Sequence, residues 1–266
     1  MTSFSSITKA LSRPKLSIIN RIVIVDALAI IITILFQVYK GTLSGMDPVA
    51  ITLTYSIFAY LVAFVLLARN VEHTYTSSSY RLIPASDTKL YSASLLSALV
   101  AMVYMGLAQV GLALITSALD FPEIAGAARQ MFSDIYQSSD KTSFGLNIFV
   151  IITGSILLLI ALALFCWATI SLIHLIGNAL TNFLPDSRQK FFRFVLYVVV
   201  IVVFLYVFTY VVGMVNGILH NFKGVLDYSS NAYLQIYFGS IYLFAFALVE
   251  SMGNVYLLKN WVETEN

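Results

Sequence analysis

The sequence predicts an all-α, polytopic membrane protein with six transmembrane helices, an amino-terminal interfacial helix and both termini cytoplasmic. Between Lys141 and Asp186 the chain runs 44 residues without an Asp, Glu, Lys or Arg, and five other stretches are nearly as free of charge. A bilayer core needs about 20 mainly apolar residues per helix and penalises ionised side chains at its centre, so such runs mark spans. Composition agrees. With 59% hydrophobic and 11% charged residues and a mean hydropathy of +0.88, the chain is far from soluble domains, where about a quarter of residues carry charge.

The elements follow in order as one transmembrane domain over residues 1–266. Within residues 1–20, Phe4, Ile7 and Leu11 recur at helical spacing while Ser5, Lys9 and Arg13 take other faces. This predicts an amphipathic interfacial helix stopped by Pro14. No small-residue cleavage pattern follows a short apolar core, so the segment is expected to be retained. The first span is placed at residues 22–39, interrupted only by Asp26, and the second at 50–68. A polar loop from Arg69 to Lys89 follows. The third span covers residues 90–119, longer than a bilayer requires, with Gly106 and Gly111 as flexion points. Phe121 to Lys141 reads as a loop with a short helix. Spans four, five and six are placed at residues 147–180, 192–212 and 233–258. The connection from Thr181 to Lys190 carries Asn182, Pro185, Asp186 and Arg188 as turn and helix-start residues. Between spans five and six, Gly213, Asn216 and Gly217 interrupt an otherwise apolar pattern, which suits a re-entrant or interfacial piece.

Lysines and arginines set the orientation. Eleven of the fifteen (Lys9, Arg13, Lys15, Arg21, Arg69, Arg81, Lys89, Arg188, Lys190, Arg193 and Lys259) fall on the side shared by the termini. Four (Lys40, Arg129, Lys141 and Lys223) fall on the other, and the positive-inside rule makes the richer side cytoplasmic. Trp167 and the tyrosines suit interfacial anchoring or helix packing.

Candidate chemistry is sparse. A net charge of +2 gives no footprint for nucleic acid. A lone Cys166 excludes an intrachain disulfide, and zinc-type ligand spacings do not occur. Arg21, Asp26 and Glu250 are read as structural charges of the membrane domain. Asp26 lies five residues from Arg21 and Glu250 nine from Lys259, in the cytoplasmic third, where ion pairing and snorkelling cost less. Structural pairing or partner contact is therefore favoured over a proton relay. His174 and Asn178, four residues apart, share a helical face as in the HxxxN element of intramembrane CAAX-type proteases, but no EExxxR sequence accompanies them. A packing role is expected. Gly213 and Gly217 form a GxxxG pair read as a helix break. No GxxxxGK[ST] phosphate-binding loop occurs, so any ATP energy must come from another chain.

The strongest local signal is Arg69 to Leu99, RNVEHTYTSSSYRLIPASDTKLYSASLLSAL. It combines an aromatic and hydroxyl-rich stretch from Tyr75 to Tyr80, Arg81, a Leu82-Ile83-Pro84 corner, and Ser86 or Asp87 as a helix cap. The expected object is a short surface helix and a proline-set corner, longer than packed antiparallel spans need. In layout the chain resembles the membrane subunit of a type-2 ABC transporter. The passage YRLIPASDTKLYSASLLS is similar to the start of the third span in permeases of Gram-positive bacterial exporters, including those tied to antimicrobial-peptide export or immunity.

That resemblance implies a multi-pass protein of the bacterial plasma membrane that dimerises with a second copy or a homologous permease and docks ABC-type ATPase subunits. ATP and Mg would be bound by the partner ATPase and no cofactor by this chain. The docking surface is expected at Glu72, His73, Tyr75, Tyr80 and Arg81, with a second contact at Asp186 and Arg188. The expected function is an exporter permease for an antimicrobial peptide or other amphipathic cargo. The alternatives are an intramembrane enzyme related to CAAX-type proteases using His174, and a non-transport membrane anchor or regulator.

Overall fold

A computed structural model describes residues 3–77, 80, 82–138, 144–181 and 232–260, with ten further helical positions between Val195 and Gly213. We name the helices α1 (Phe4–Lys40), α2 (Asp47–Thr76), α3 (Asp87–Ser117), α4 (Phe121–Ser138), α5 (Phe144–Thr181) and α6 (Ala232–Asn260). A single 3-10 turn, Ala118–Asp120, joins α3 to α4. Among the described residues there is no strand, and five helices (α1, α2, α3, α5 and α6) are long and apolar enough to cross a membrane. The expected fifth span at 192–212 and the re-entrant piece after it lie largely outside the described residues.

The outer surface is as apolar as the interior. Buried positions on α2 and α3 carry small and polar residues such as Thr52, Ser56, Ala63, Ser94, Ser97 and Ala98 beside Leu67, Val71, Leu90 and Met105, whereas Val25, Ile32, Phe58, Val65, Leu107 and Leu114 are exposed. In water that arrangement would forfeit the hydrophobic effect. In lipid, where hydrocarbon solvates Leu and Phe as well as a protein core does, helices associate by close packing of small residues and by hydrogen bonds between them. The multi-pass membrane character rests on this pattern as much as on helix length.

Several boundaries differ from expectation. Pro14 does not stop a separate interfacial helix: α1 runs through it for 37 residues, about 55 Å at the helical rise. Interior proline removes one backbone hydrogen bond and costs about 3 kcal/mol. Ile7, Leu11, Lys15 and Ile19 bury one face at four-residue spacing on both sides of the proline, and that packing holds the helix continuous. Likewise α2 does not end near Ala68 but continues to Thr76, so the first part of the expected loop is helix. Gly106 and Gly111 lie inside an unbroken α3. The segment expected as a loop with a short helix is the 18-residue α4, whose polar Glu123 and Arg129 are exposed. Trp167 is 1% exposed, a packed side chain and no interfacial anchor.

Two compact units divide the chain, one of Met1–Thr74 with Lys89–Ile148, the other of Tyr75–Thr88 with Phe149–Asn266. In the first, α1 ends at Gly41, whose left-handed backbone (φ 66°) is open to glycine without steric cost. The Gly41 amide donates to Val38 O and the Thr42 amide to Gln37 O, a Schellman closure. Asp47 then accepts from the Ser44 amide and hydroxyl, both at 2.8 Å, and opens α2. The two helices are thus joined by a short, capped hairpin.

Cross-helix bonds give the register. Lys15 reaches Ser94 and Ser97, Tyr104 donates to Asn20, and Gln109 donates to Asp26, at sequence separations of 79, 82, 84 and 83. A near-constant separation means that α1 and α3 run parallel. Between α2 and α3 the numbers run oppositely, Ser56 to Gln109 and Thr52 to Thr116, as antiparallel neighbours require. Lys15 is fully buried, and its Nζ donates to Ser94 O at 2.6 Å, Ser94 Oγ at 3.0 Å and Ser97 Oγ at 2.6 Å, using all three ammonium donors.

In the second unit, α5 and α6 are also parallel. Thr153 meets Tyr237, Thr169 donates to Glu250, and the Asn254 amide donates to Ala168 O, at separations of 84, 81 and 86. Phe165 stands edge-on to Phe246 with ring centroids 6.4 Å apart. Gly154 makes the close approach possible, since a Cβ there would lie 3.1 Å from Ile236 Cγ2.

At Gly106 a Cβ would meet the Tyr60 hydroxyl at 2.8 Å, so this glycine serves contact between α2 and α3. Gly106→Ala is expected to lower stability by about 1–3 kcal/mol through overpacking. Adding Tyr60→Phe should recover most of the loss, as read by thermal unfolding of the purified protein in detergent. An effect of Gly106→Ala that is the same with Tyr60 and with Tyr60→Phe would refute the contact.

Candidate functional site

The most developed polar constellation in the first unit joins α1, α2 and α3. Asp26, 6% exposed, accepts a 2.7 Å hydrogen bond at Oδ2 from Gln109 Nε2. Gln109 Oε1 in turn accepts from Ser56 Oγ at 2.6 Å, and that hydroxyl also approaches Thr52 O at 2.7 Å. One turn along α2, Thr52 Oγ1 approaches both Pro48 O at 2.8 Å and Thr116 Oγ1 at 3.1 Å. Each helix places its polar groups on the face that meets the other two, because exposing them to hydrocarbon would leave them unsatisfied.

Register changes the apparent depth of Asp26. Counted along α1 alone it sits near the Arg21 end. Through Gln109, however, it is level with Ser56, which lies about 3 Å along α2 from the midpoint of the uncharged stretch between Asp47 and Arg69. Asp26 therefore stands well inside the apolar layer. Its partner is a neutral amide. Arg21, the nearest cation in sequence, is exposed and makes no ion pair with it.

Asp26 also lines a groove of about 420 Å³ between α1 and α2, together with Arg21, Ala29, Tyr55, Phe58 and Ala59. Thr33 Oγ1 and Tyr55 Oη lie 3.0 Å apart. In an antiparallel pair this register brings Ala29 level with Ala59, one turn on in each helix. Two methyl-sized side chains facing one another leave the hollow, and Phe58 and Tyr55 flank it. An apolar groove with one carboxylate in its wall can hold a molecule by shape and by charge.

Glu250, on α6 in the second unit, is 7% exposed. Its Oε2 accepts from Thr169 Oγ1 at 2.9 Å, while Oε1 is buried with no hydrogen-bond partner among the described residues. His174 Nε2 and Asn178 Nδ2 lie 3.2 Å apart on α5, so the two residues engage each other. Among the described residues no three His, Cys, Asp or Glu side chains gather as a metal site would require.

The segment expected to dock a partner is resolved unevenly. Glu72 and His73 lie on the last turns of α2, the first half-buried and the second exposed. Tyr75, beside them, is 1% exposed. Tyr80 is half-buried, and its carbonyl accepts from the Ile83 amide at 3.2 Å within the corner that precedes α3. Leu82, which sequence reasoning did not single out as a contact, is 83% exposed at the tip of that corner. Arg81, Asp186 and Arg188 lie outside the described residues. Gln109 was likewise not singled out, and its signal was an amide in the middle of a 30-residue stretch free of charge from Leu90 to Leu119.

No family model, no curated protein and no solved structure matches this chain.

The Asp26–Gln109 contact is testable as a pair. Asp26→Leu and Gln109→Leu should each destabilise the protein, and the double variant should recover about 0.5–2 kcal/mol of the summed loss in a double-mutant cycle. Strict additivity in detergent unfolding would show that the two side chains do not bond.

Proposed function

We propose that this chain is the permease subunit of an ATP-driven exporter of the type-2 ABC class, energised by a separate ATPase. The observation that carries the reading is the continuation of α2 beyond its apolar run, from Arg69 to Thr76, into the segment where an ATPase would dock. A flexible loop absorbs a push. An unbroken helix passes it to the span of which it is part, and Glu72 and His73 sit on that extension. The absence of a phosphate-binding loop in the sequence requires that the push originate elsewhere.

The direction of α5 and α6 supports the six-span layout. Two parallel neighbours in a membrane need an odd number of crossings between them, and 50 residues separate Thr181 from Ala232. One span of about 20 residues, as the stretch 192–212 offers, fits that length. Both termini then share a side, and the excess of lysine and arginine makes that side cytoplasmic.

Two experiments follow. In a chain carrying Cys166→Ala, single cysteines placed at Asp186 and at Ser229 should be labelled from opposite faces of the intact membrane by an impermeant maleimide. Labelling of both from one face would remove the six-span layout. Affinity capture of the tagged chain from native membranes should bring down an ATPase with a Walker motif. His73→Glu combined with Leu82→Asp should reduce that capture at least tenfold while leaving the amount of membrane-inserted chain unchanged. Capture of no ATPase would refute the transport reading, and undiminished capture by the variant would refute the docking surface.

A further inference from the structure

We propose that the groove between α1 and α2 binds an amphiphilic monocation, a single ammonium- or guanidinium-like charge carried on a hydrocarbon body. The groove holds about 420 Å³, within the range of small-molecule sites, and its walls are almost wholly apolar. Its hollow exists because Ala29 and Ala59 stand where larger side chains would close it. Asp26 is among the residues that line that apolar wall, and Gln109 Nε2 donates to its Oδ2 at 2.7 Å.

Charge complementarity selects the occupant. An amide can hydrogen-bond a carboxylate but cannot neutralise it, and no cation pairs with Asp26 among the described residues. A carboxylate in an apolar layer is stabilised most by an opposite charge brought to it. The groove carries one carboxylate, which balances one positive charge, so the occupant is a monocation. The aliphatic face of a second copy could fill the hollow but would leave the carboxylate without a counter-charge. A bilayer phospholipid offers only acyl chains at the depth of Asp26, which leave the carboxylate without a counter-charge. Calling the occupant cargo rests on the transport reading, but its binding does not.

The test uses the full chain in nanodiscs of phosphatidylcholine, without any partner, and equilibrium binding of radiolabelled tetraphenylphosphonium. Tetraphenylborate, of nearly the same shape and opposite charge, is the control. Expected is saturable binding of one phosphonium per chain, displaced by dodecylamine and not by dodecanoate, with no saturable binding of the borate. Asp26→Asn, which keeps an acceptor oxygen for Gln109, should weaken binding at least tenfold. Ala59→Leu keeps the charge and fills the hollow, and it should weaken binding to a similar degree, so the proposal stays testable should either variant fail to remain monodisperse.

Absence of saturable phosphonium binding by the parent chain, equal binding of the borate, or undiminished binding by Asp26→Asn would each overturn the proposal. So would efficient disulfide formation between copies carrying Val25→Cys or Phe58→Cys, because the groove would then be a seam between chains. A phospholipid that co-purifies with the parent and is lost in Ala59→Leu would overturn it in favour of a structural lipid. These readouts are separate from ATPase capture: phosphonium binding with no ATPase captured would leave the site standing and the transport reading fallen, and the reverse result would do the opposite.

Discussion

Inside a bilayer a helix gains little by hiding its apolar side chains, and it loses heavily by showing a polar one to lipid. That constraint orders this protein. Ser56, Thr52, Gln109 and Asp26 lie where three helices meet because no solvent could satisfy them elsewhere, and alanines beside them let the backbones come close enough for the bonds to form. Lys15 obeys the same rule near the start of α3. A fully buried ammonium is tolerated because two serines and a carbonyl accept all three of its protons.

How much of this was legible in the sequence depended on whether the signal was local. Charge-free runs are local, and they marked the five membrane-length helices found among the described residues. Helix continuity is not. Pro14 reads locally as a stop, and only the buried face formed by Ile7, Leu11, Lys15 and Ile19 reverses that reading. The polar composition after Ala68 reads as loop, yet Val71, Thr74 and Tyr75 are buried and keep α2 helical to Thr76. Gly106 reads as a flexion point until the Tyr60 hydroxyl is seen across from it.

The candidate site was half legible. Asp26 announced itself as an acid within a span, but its depth and its partner come from α3, more than eighty residues away in sequence. Nothing in the neighbourhood of Asp26 could have named Gln109. The small residues Ala29 and Ala59 carry no chemistry that a sequence reader would single out, and the groove they leave depends on the register set by Thr33 and Tyr55. Glu250 shows the same limit, since its bond to Thr169 follows from parallel packing that no local pattern encodes.

The hairpin of α1 and α2 has a bearing on assembly. Its contacts are close in sequence and its turn is capped at both ends, so it has what a helical pair needs to form early. Gln109 follows Asp26 by 83 residues. At synthesis rates of 5–20 residues per second, about 4–17 s pass between the two. Through that interval the nascent hairpin carries a carboxylate that its final neighbour has not yet reached, and α3 closes an opening that was part of the chain's early life in the membrane.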